Sequence, residues 1–302
     1  RPQRGKFLHV RGHKLHLIDE GEGPCVILLH GNGSMIEDLH SSGLIDLLKQ
    51  DHRVVAFGRP GFGLSERPDW GWTPEAEAAF LSQALALLDV DEAIIVAHSW
   101  AALVAICMAL RPGIVANGLV LLSGYYFPTA RLDTALQAPA TWPVVGGALR
   151  YTVLPIMARL MAGVEFRKMF APLPVSPEFL AEYPVGLASR PSQLKSLADD
   201  TVEMPKAAAR LSGRYRDLSL PVHIIAGAGD KIVSTAHQSA QLHGMLPTST
   251  LQTLEGVGHM VHHAHPELVA EAVRAMTKGG SPLISPQENR GDGVVAAPAK
   301  PF

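Results

Sequence analysis

Cysteine is scarce: Cys25 and Cys107 are the only two in 302 residues. Both sit in apolar runs and read as buried free thiols, with a single disulfide as the alternative. Cysteine use therefore leaves the redox compartment open. No metal-finger spacing can be drawn. Charge is sparse as well, with 26 Lys and Arg against 28 Asp and Glu, a net charge of -2. The basic residues are scattered and form no polybasic run, which excludes the usual nucleic-acid binder. Internal repeats are lacking. The longest apolar stretch, residues 93–110, would attract a search for membrane spans. His98 and Ser99 interrupt it, and it divides into a short strand, a tight turn and a helix, so no membrane span is expected. The chain begins RPQRGKF and shows no signal peptide. The cytoplasm is the expected compartment, with periplasm or exterior open if a leading segment has been removed.

Hydrophobic residues make up 47% of the chain, enough for one large core or two smaller ones. Residues 6–10 and 14–18 flank Arg11-Gly12-His13 and suggest a β-hairpin. Residues 25–29, 54–57 and 93–97 are apolar at every position, as in strands buried on both faces of a parallel sheet. Residues 118–122 and 222–226 are close to that pattern, and residues 250–254 are strand-like. Helical stretches alternate with these strands. Thr73-Pro74-Glu75 opens one helix with a cap and a proline at its first position. Residues 100–110, 234–245 and 266–276 supply others. Alternation of this kind predicts an α/β fold with a mostly parallel, doubly wound sheet.

The alternation stops between about Tyr125 and Leu218, where prolines are frequent and helical pieces such as 149–161, with a kink at Pro155, replace strands. The expected organisation is a core of residues 1–124 and 219–277, a helical cap of 125–218, and a flexible tail of 278–302 rich in Gly, Pro, Ser and Ala.

In Ala97-His98-Ser99-Trp100-Ala101 a buried strand runs straight into a serine and then a helix. Such a turn exposes the hydroxyl on a strained backbone, and small residues two before and two after let helix and strand approach. The alternative is an ordinary serine cap. His30-Gly31-Asn32-Gly33 follows residues 25–29, and its glycines let the backbone face a ligand. The N–H groups of Asn32 and Trp100 are the candidate donors to an oxyanion. No Lys-Ser/Thr follows, so this is not a phosphate loop.

The elements H-G-N-G (residues 30–33), R-P-G-F-G-x-S (59–65), A-H-S-W-A (97–101), G-A-G-D (227–230) and G-V-G-H (256–259) come in an order that resembles the α/β-hydrolase family. The resemblance covers about residues 6–276. It implies the α/β-hydrolase fold, with Ser99 as nucleophile, Asp230 as the acid and His259 as the general base. Gly58 departs from the family, which commonly has Asp there. Related epoxide hydrolases and haloalkane dehalogenases use Asp as nucleophile, so Ser99 argues against both. The implied activity is hydrolysis of a carboxylic ester through an acyl-enzyme, without cofactor or metal, on a small-molecule substrate. Carbon–carbon bond hydrolysis and a low-turnover ligand receptor are the alternatives. Trp142, Met157, Met161 and Met169 are candidate pocket residues. His262, His263 and His265 crowd His259 and suggest a rival metal site. They lack the Glu of the H-E-x-x-H pattern and an open-site carboxylate nearby, so surface or supporting roles are expected for them.

Overall fold

The computed structural model describes residues 4–111 and 115–279. Its centre is an eight-stranded sheet. The strands are β1 (Lys6–Val10), β2 (His13–Glu20), β3 (Cys25–Leu29), β4 (Arg53–Phe57), β5 (Glu92–His98), β6 (Val115–Leu122), β7 (Val222–Gly227) and β8 (Ser249–Leu254). Their spatial order is β1-β2-β4-β3-β5-β6-β7-β8. β1 and β2 pair antiparallel with each other, β2 pairs antiparallel with β4, and all later pairings are parallel.

The unbroken apolar strands explain the layering. Along β3, Ile27 and Leu29 enter one core while Val26 and Leu28 enter the other, and β5 divides Ile95 and Ala97 from Ile94 and Val96 in the same way. The period-two pleat thus feeds two cores from one strand. Helices α3 (Pro74–Ala86) and α4 (Ala101–Ala109) cover the first face. Helices α1 (Ile36–Ser41), α2 (Leu44–Leu48) and, at the chain's far end, α13 (Pro266–Thr277) cover the second. The Thr73 hydroxyl accepts the Ala76 N–H at 3.2 Å and starts α3, with Pro74 at its first position.

From β3 the chain steps to β4 on one side, then crosses to β5 on the other. The loops after β3 and β5 therefore diverge at the sheet's reversal point, where α/β sheets open a crevice at the strands' carboxyl ends.

Between β6 and β7 lies a helical insertion: α5 (Leu132–Thr141), α6 (Pro143–Tyr151), α7 (Val153–Phe170), α8 (Pro177–Glu182), α9 (Val185–Ala188) and α10 (Pro191–Ser212). The expected kink at Pro155 falls elsewhere. The chain breaks at Thr152, where α6 and α7 meet at 57°. Pro155 sits in the first turn of α7, where its missing N–H has no partner to lose. After β7 come α11 (Gln241–Met245), preceded by a wider turn over Ala236–Ala240, and α12 (Val261–Ala264). Cys25 and Cys107 are both free thiols, and burial pushes Cys25 up to about 11. The expected tail lies, from residue 280 onward, outside the described residues.

Candidate active site

Ser99 follows β5 directly and has φ 56°, in the left-handed region that only three other non-glycine residues share among those described. A side chain there is strained by its own Cβ. The surroundings hold it: its N–H donates to Leu122 O at 2.9 Å, and its carbonyl accepts from Ala102 N at 3.1 Å. Strain of this kind persists only where the surrounding structure over-determines it.

The loop after β3 approaches closely. A Cβ on Gly31 would lie 3.2 Å from Ser99 Cβ and 3.0 Å from His98 Nδ1, so glycine is what lets the two loops meet. Asn32 and Trp100 flank this contact. Neither backbone N–H donates to a protein acceptor among the described residues. The Asn32 amide donates to Thr201 Oγ1 at 2.9 Å and to Leu197 O at 3.3 Å, both on α10. Trp100 is fully buried in the first core, and its Nε1 and Asn32 Oδ1 have no protein partner.

Asp230 comes after β7 and His259 after β8. His259 Nδ1 is 2.7 Å from Asp230 Oδ2, and both side chains are almost wholly buried. Asp230 Oδ1 accepts the N–H groups of Ile232 at 2.8 Å and Val233 at 2.9 Å. One carboxylate oxygen is thus pinned by backbone while the other faces the imidazole. His98 joins this loop to the serine loop. Its Nε2–H donates to the His259 carbonyl at 3.1 Å, and the two rings lie 4.7 Å apart. Burial, then the neighbouring imidazoles of His262 and His259, hold His98 well below the usual histidine range, so it is neutral.

Behind His98 is a group that the sequence did not disclose. Asp38, from α1, is fully buried, and its Oδ1 lies 3.2 Å from His262 Nε2 and 2.8 Å from His263 Nε2, while Oδ2 accepts the Ser34 hydroxyl at 2.8 Å. Burial alone would raise the Asp38 carboxyl, but the two imidazoles outweigh it and hold it well below the usual range. Of the surface and supporting roles expected for these histidines, His262 takes a supporting place, wholly buried behind His98, while His265 is exposed. The carboxylate that meets both imidazoles comes from more than 200 residues away in the chain. Asp38, His262 and His263 are residues that could hold a metal ion by type and spacing, their donor atoms lying within 4.8 Å. Those atoms are already engaged with one another, and a bound metal would need the imidazole Nε2 atoms deprotonated and turned from donating to ligating.

A second buried group supports the loop after β3. Arg59 grips Glu77 with Nε at 2.6 Å and Nη2 at 2.8 Å, and Nη2 also reaches Asp200 of α10 at 2.9 Å. Its Nη1 donates to Gly31 O at 3.3 Å, and its backbone N–H donates to His30 Nε2 at 2.9 Å. His30 must therefore carry its proton on Nδ1, which meets Gly31 O at 2.9 Å. Burial is the main cause of a His30 value near 3. Arg67 completes a quartet by binding Asp200 Oδ1 at 2.8 Å. None of these pairings is signalled by spacing along the chain.

The candidate pocket residues are not gathered at Ser99. Trp142, Met157 and Met161 are 40–52% exposed, on the insertion's outside. Their apolarity suggested a pocket, but the helices turn other apolar faces inward. Met169 packs against the cluster of Phe170, Phe179 and Met260.

Comparison with known proteins agrees with this architecture. Residues 26–272 match the model of the alpha/beta hydrolase family. The chain belongs to that family. Haloalkane dehalogenase 2 of Mycobacterium tuberculosis is 24% identical over 281 residues, covering 90% of this chain and 94% of the relative. The 2-hydroxymuconate semialdehyde hydrolase of Pseudomonas putida is 26% identical over 278 residues, covering 90% and 93%. The solved epoxide hydrolase CorEH superposes with a TM-score of 0.74 at 18% identity over 91% of this chain and 99% of that one, a likeness of fold.

Proposed function

We propose that this hydrolase-family chain cleaves a carboxylic ester with a small to medium apolar acyl or alcohol group. The observation that carries the reading is Ser99 held at φ 56° between β5 and α4. Its loop is joined through His98 to an imidazole that is itself bonded to a buried carboxylate. Ser99 Oγ attacks the ester carbonyl carbon while His259 takes its proton, and Asp230 keeps the imidazole oriented and stabilises its charged form. The N–H groups of Asn32 and Trp100, free of protein acceptors, receive the oxyanion; each is worth about 3 kcal/mol in the transition state. His259 returns the proton to the leaving alcohol, giving an acyl-enzyme. Water, deprotonated by His259, then releases the acid. Residues 125–218 act as the cap over this site.

Among the family's relatives, a dehalogenase reading is disfavoured by serine at position 99, because attack at saturated carbon calls for a carboxylate. Carbon–carbon bond hydrolysis is the second reading, favoured by the likeness to the 2-hydroxymuconate semialdehyde hydrolase.

The test is a fluorophosphonate probe on wild type and Ser99→Ala, read by intact mass, beside a p-nitrophenyl ester series and a dienol-ketone. An adduct on wild type alone, with ester turnover, supports the proposal. Preference for the dienol-ketone moves the reading to carbon–carbon cleavage. No adduct and no turnover on folded protein leaves a binding module.

A further inference from the structure

Of sixteen large apolar side chains that are exposed among the described residues, fourteen lie between 132 and 180, in the helical insertion. α7 shows why. Leu154, Ala158, Ala162 and Phe166 are partly buried and face inward at four-residue spacing. On the opposite side Val153, Ile156, Met157, Leu160, Met161 and Val164 form a second apolar row, all exposed. Their spacing of three and four residues is one helical face, about 16 Å long. The adjoining α6 adds Val144, 83% exposed, with Trp142 before its start and Tyr151 at its end. A patch of this extent on a lone surface marks an interaction site.

Two observations say what covers it. The first is charge. α7 carries Arg159, Arg167 and Lys168 against Glu165, and none of the three cations makes an ion pair among the described residues. Residues 131–170 hold five basic and two acidic side chains, a local excess of positive charge in a chain of net charge -2. A second copy would bring like charge against like charge. An anionic surface would not. The second is form. α6 and α7 together have the length and apolar composition of a membrane-crossing segment, but the 57° bend at Thr152 breaks the rod. A bent, apolar pair with basic side chains and aromatics near its ends is suited to lie along a bilayer rather than cross it.

We propose that α6 and α7 are a docking surface for an anionic lipid bilayer, the apolar row entering the acyl boundary and the basic side chains meeting lipid phosphates. The inference stands whether or not the ester reading is correct, because binding is read without turnover.

The test is sedimentation of the full chain with phosphatidylcholine vesicles, alone and mixed with phosphatidylglycerol. Binding should favour the mixed vesicles and weaken as salt rises. Val144→Glu with Leu160→Glu should cut partition roughly tenfold or more, with an unchanged melting temperature. Should that double variant misfold, Arg167→Gln with Lys168→Gln, on either side of the apolar row, provides the reading: it should lower binding to mixed vesicles alone. Failure to sediment with either vesicle overturns the proposal, and so does equal binding by a folded variant. Equal partition onto phosphatidylcholine alone overturns the anionic assignment. A dimer by light scattering that the Glu variants dissolve reassigns the face to a second copy.

Discussion

Glu77→Gln tests the buried charge quartet directly. Arg59, Glu77 and Asp200 are 0–1% exposed, and Arg67 is the only partly solvated member. The wild-type quartet has two positive and two negative charges. Gln keeps the volume but removes one negative charge, and turning its amide NH2 toward Arg59 Nε opposes two donors at a spacing of 2.6 Å. Trp72 Nε1, 3.2 Å from Glu77 Oε2, also prefers the carboxylate. Removing one partner of a buried pair costs about 3–5 kcal/mol. At roughly 2–4 °C per kcal/mol for a chain of this size, the melting temperature should fall by about 10 °C. Glu75→Gln on the same helix is the control, because Glu75 pairs with Arg210 at 3.3 Å where both are more than 40% exposed. Its shift should be near zero. Melting curves of both variants, followed by circular dichroism, decide the matter. A Glu77→Gln shift no larger than that of Glu75→Gln would refute the claim that the quartet secures the loop after β3.

Other outcomes follow from the same geometry. Asp230→Asn should lower kcat by about 10⁴ while leaving the fold intact, since the imidazole would lose its acceptor; a loss below tenfold in steady-state ester assays would place the acid elsewhere. Gly31→Ala pushes a methyl to 3.0 Å from His98 Nδ1 and 3.2 Å from Ser99 Cβ, so kcat should drop by roughly tenfold or more with little change in melting temperature; wild-type turnover would show that the loop can yield freely. His30 is lowered to about 3 and His223 to about 4, chiefly by burial. Both stay neutral in the fold and gain a proton on unfolding in acid. Their contribution is full above the unfolded value near 6.5 and is lost as pH falls toward the folded values, by about 1.4 kcal/mol per pH unit for each group. Denaturant titrations from neutral to mildly acid pH should show that slope, and His223→Gln should remove one group's share; an unchanged slope would mean His223 is not neutral in the fold.

The fold was readable because strands buried on both faces are largely apolar: β3 is so at every position, and β4 through β7 are so over most of their length, with Arg53, Glu92, His98, Asn117 and His223 as exceptions. Positions 99, 230 and 259 were readable for a related reason: each directly follows or closely trails a strand's carboxyl end. What escaped were pairings set only by the folded chain. Nothing near His262 announces Asp38, and nothing near Arg59 announces Asp200. The misplacement of Met157 and Met161 has another cause. α7 is apolar on two faces, and periodicity shows a face without telling which one the core covers. Pro155 misled because a proline counts as a kink only beyond the first turn, and the boundary at Thr152 has no sequence marker.

The guanidinium of Arg59 stands between Asp200 on α10 and the carbonyl of Gly31, and the Asn32 amide is tied to Leu197 and Thr201 on the same helix. The loop after β3 and the insertion therefore share one mechanical frame. Whatever tilts α10 reorients the Asn32 peptide, and by reciprocity a guest that fills the crevice and fixes that peptide biases where α10 rests. A change confined to α10 would then be felt at the Asn32 peptide without any residue of its own loop being altered.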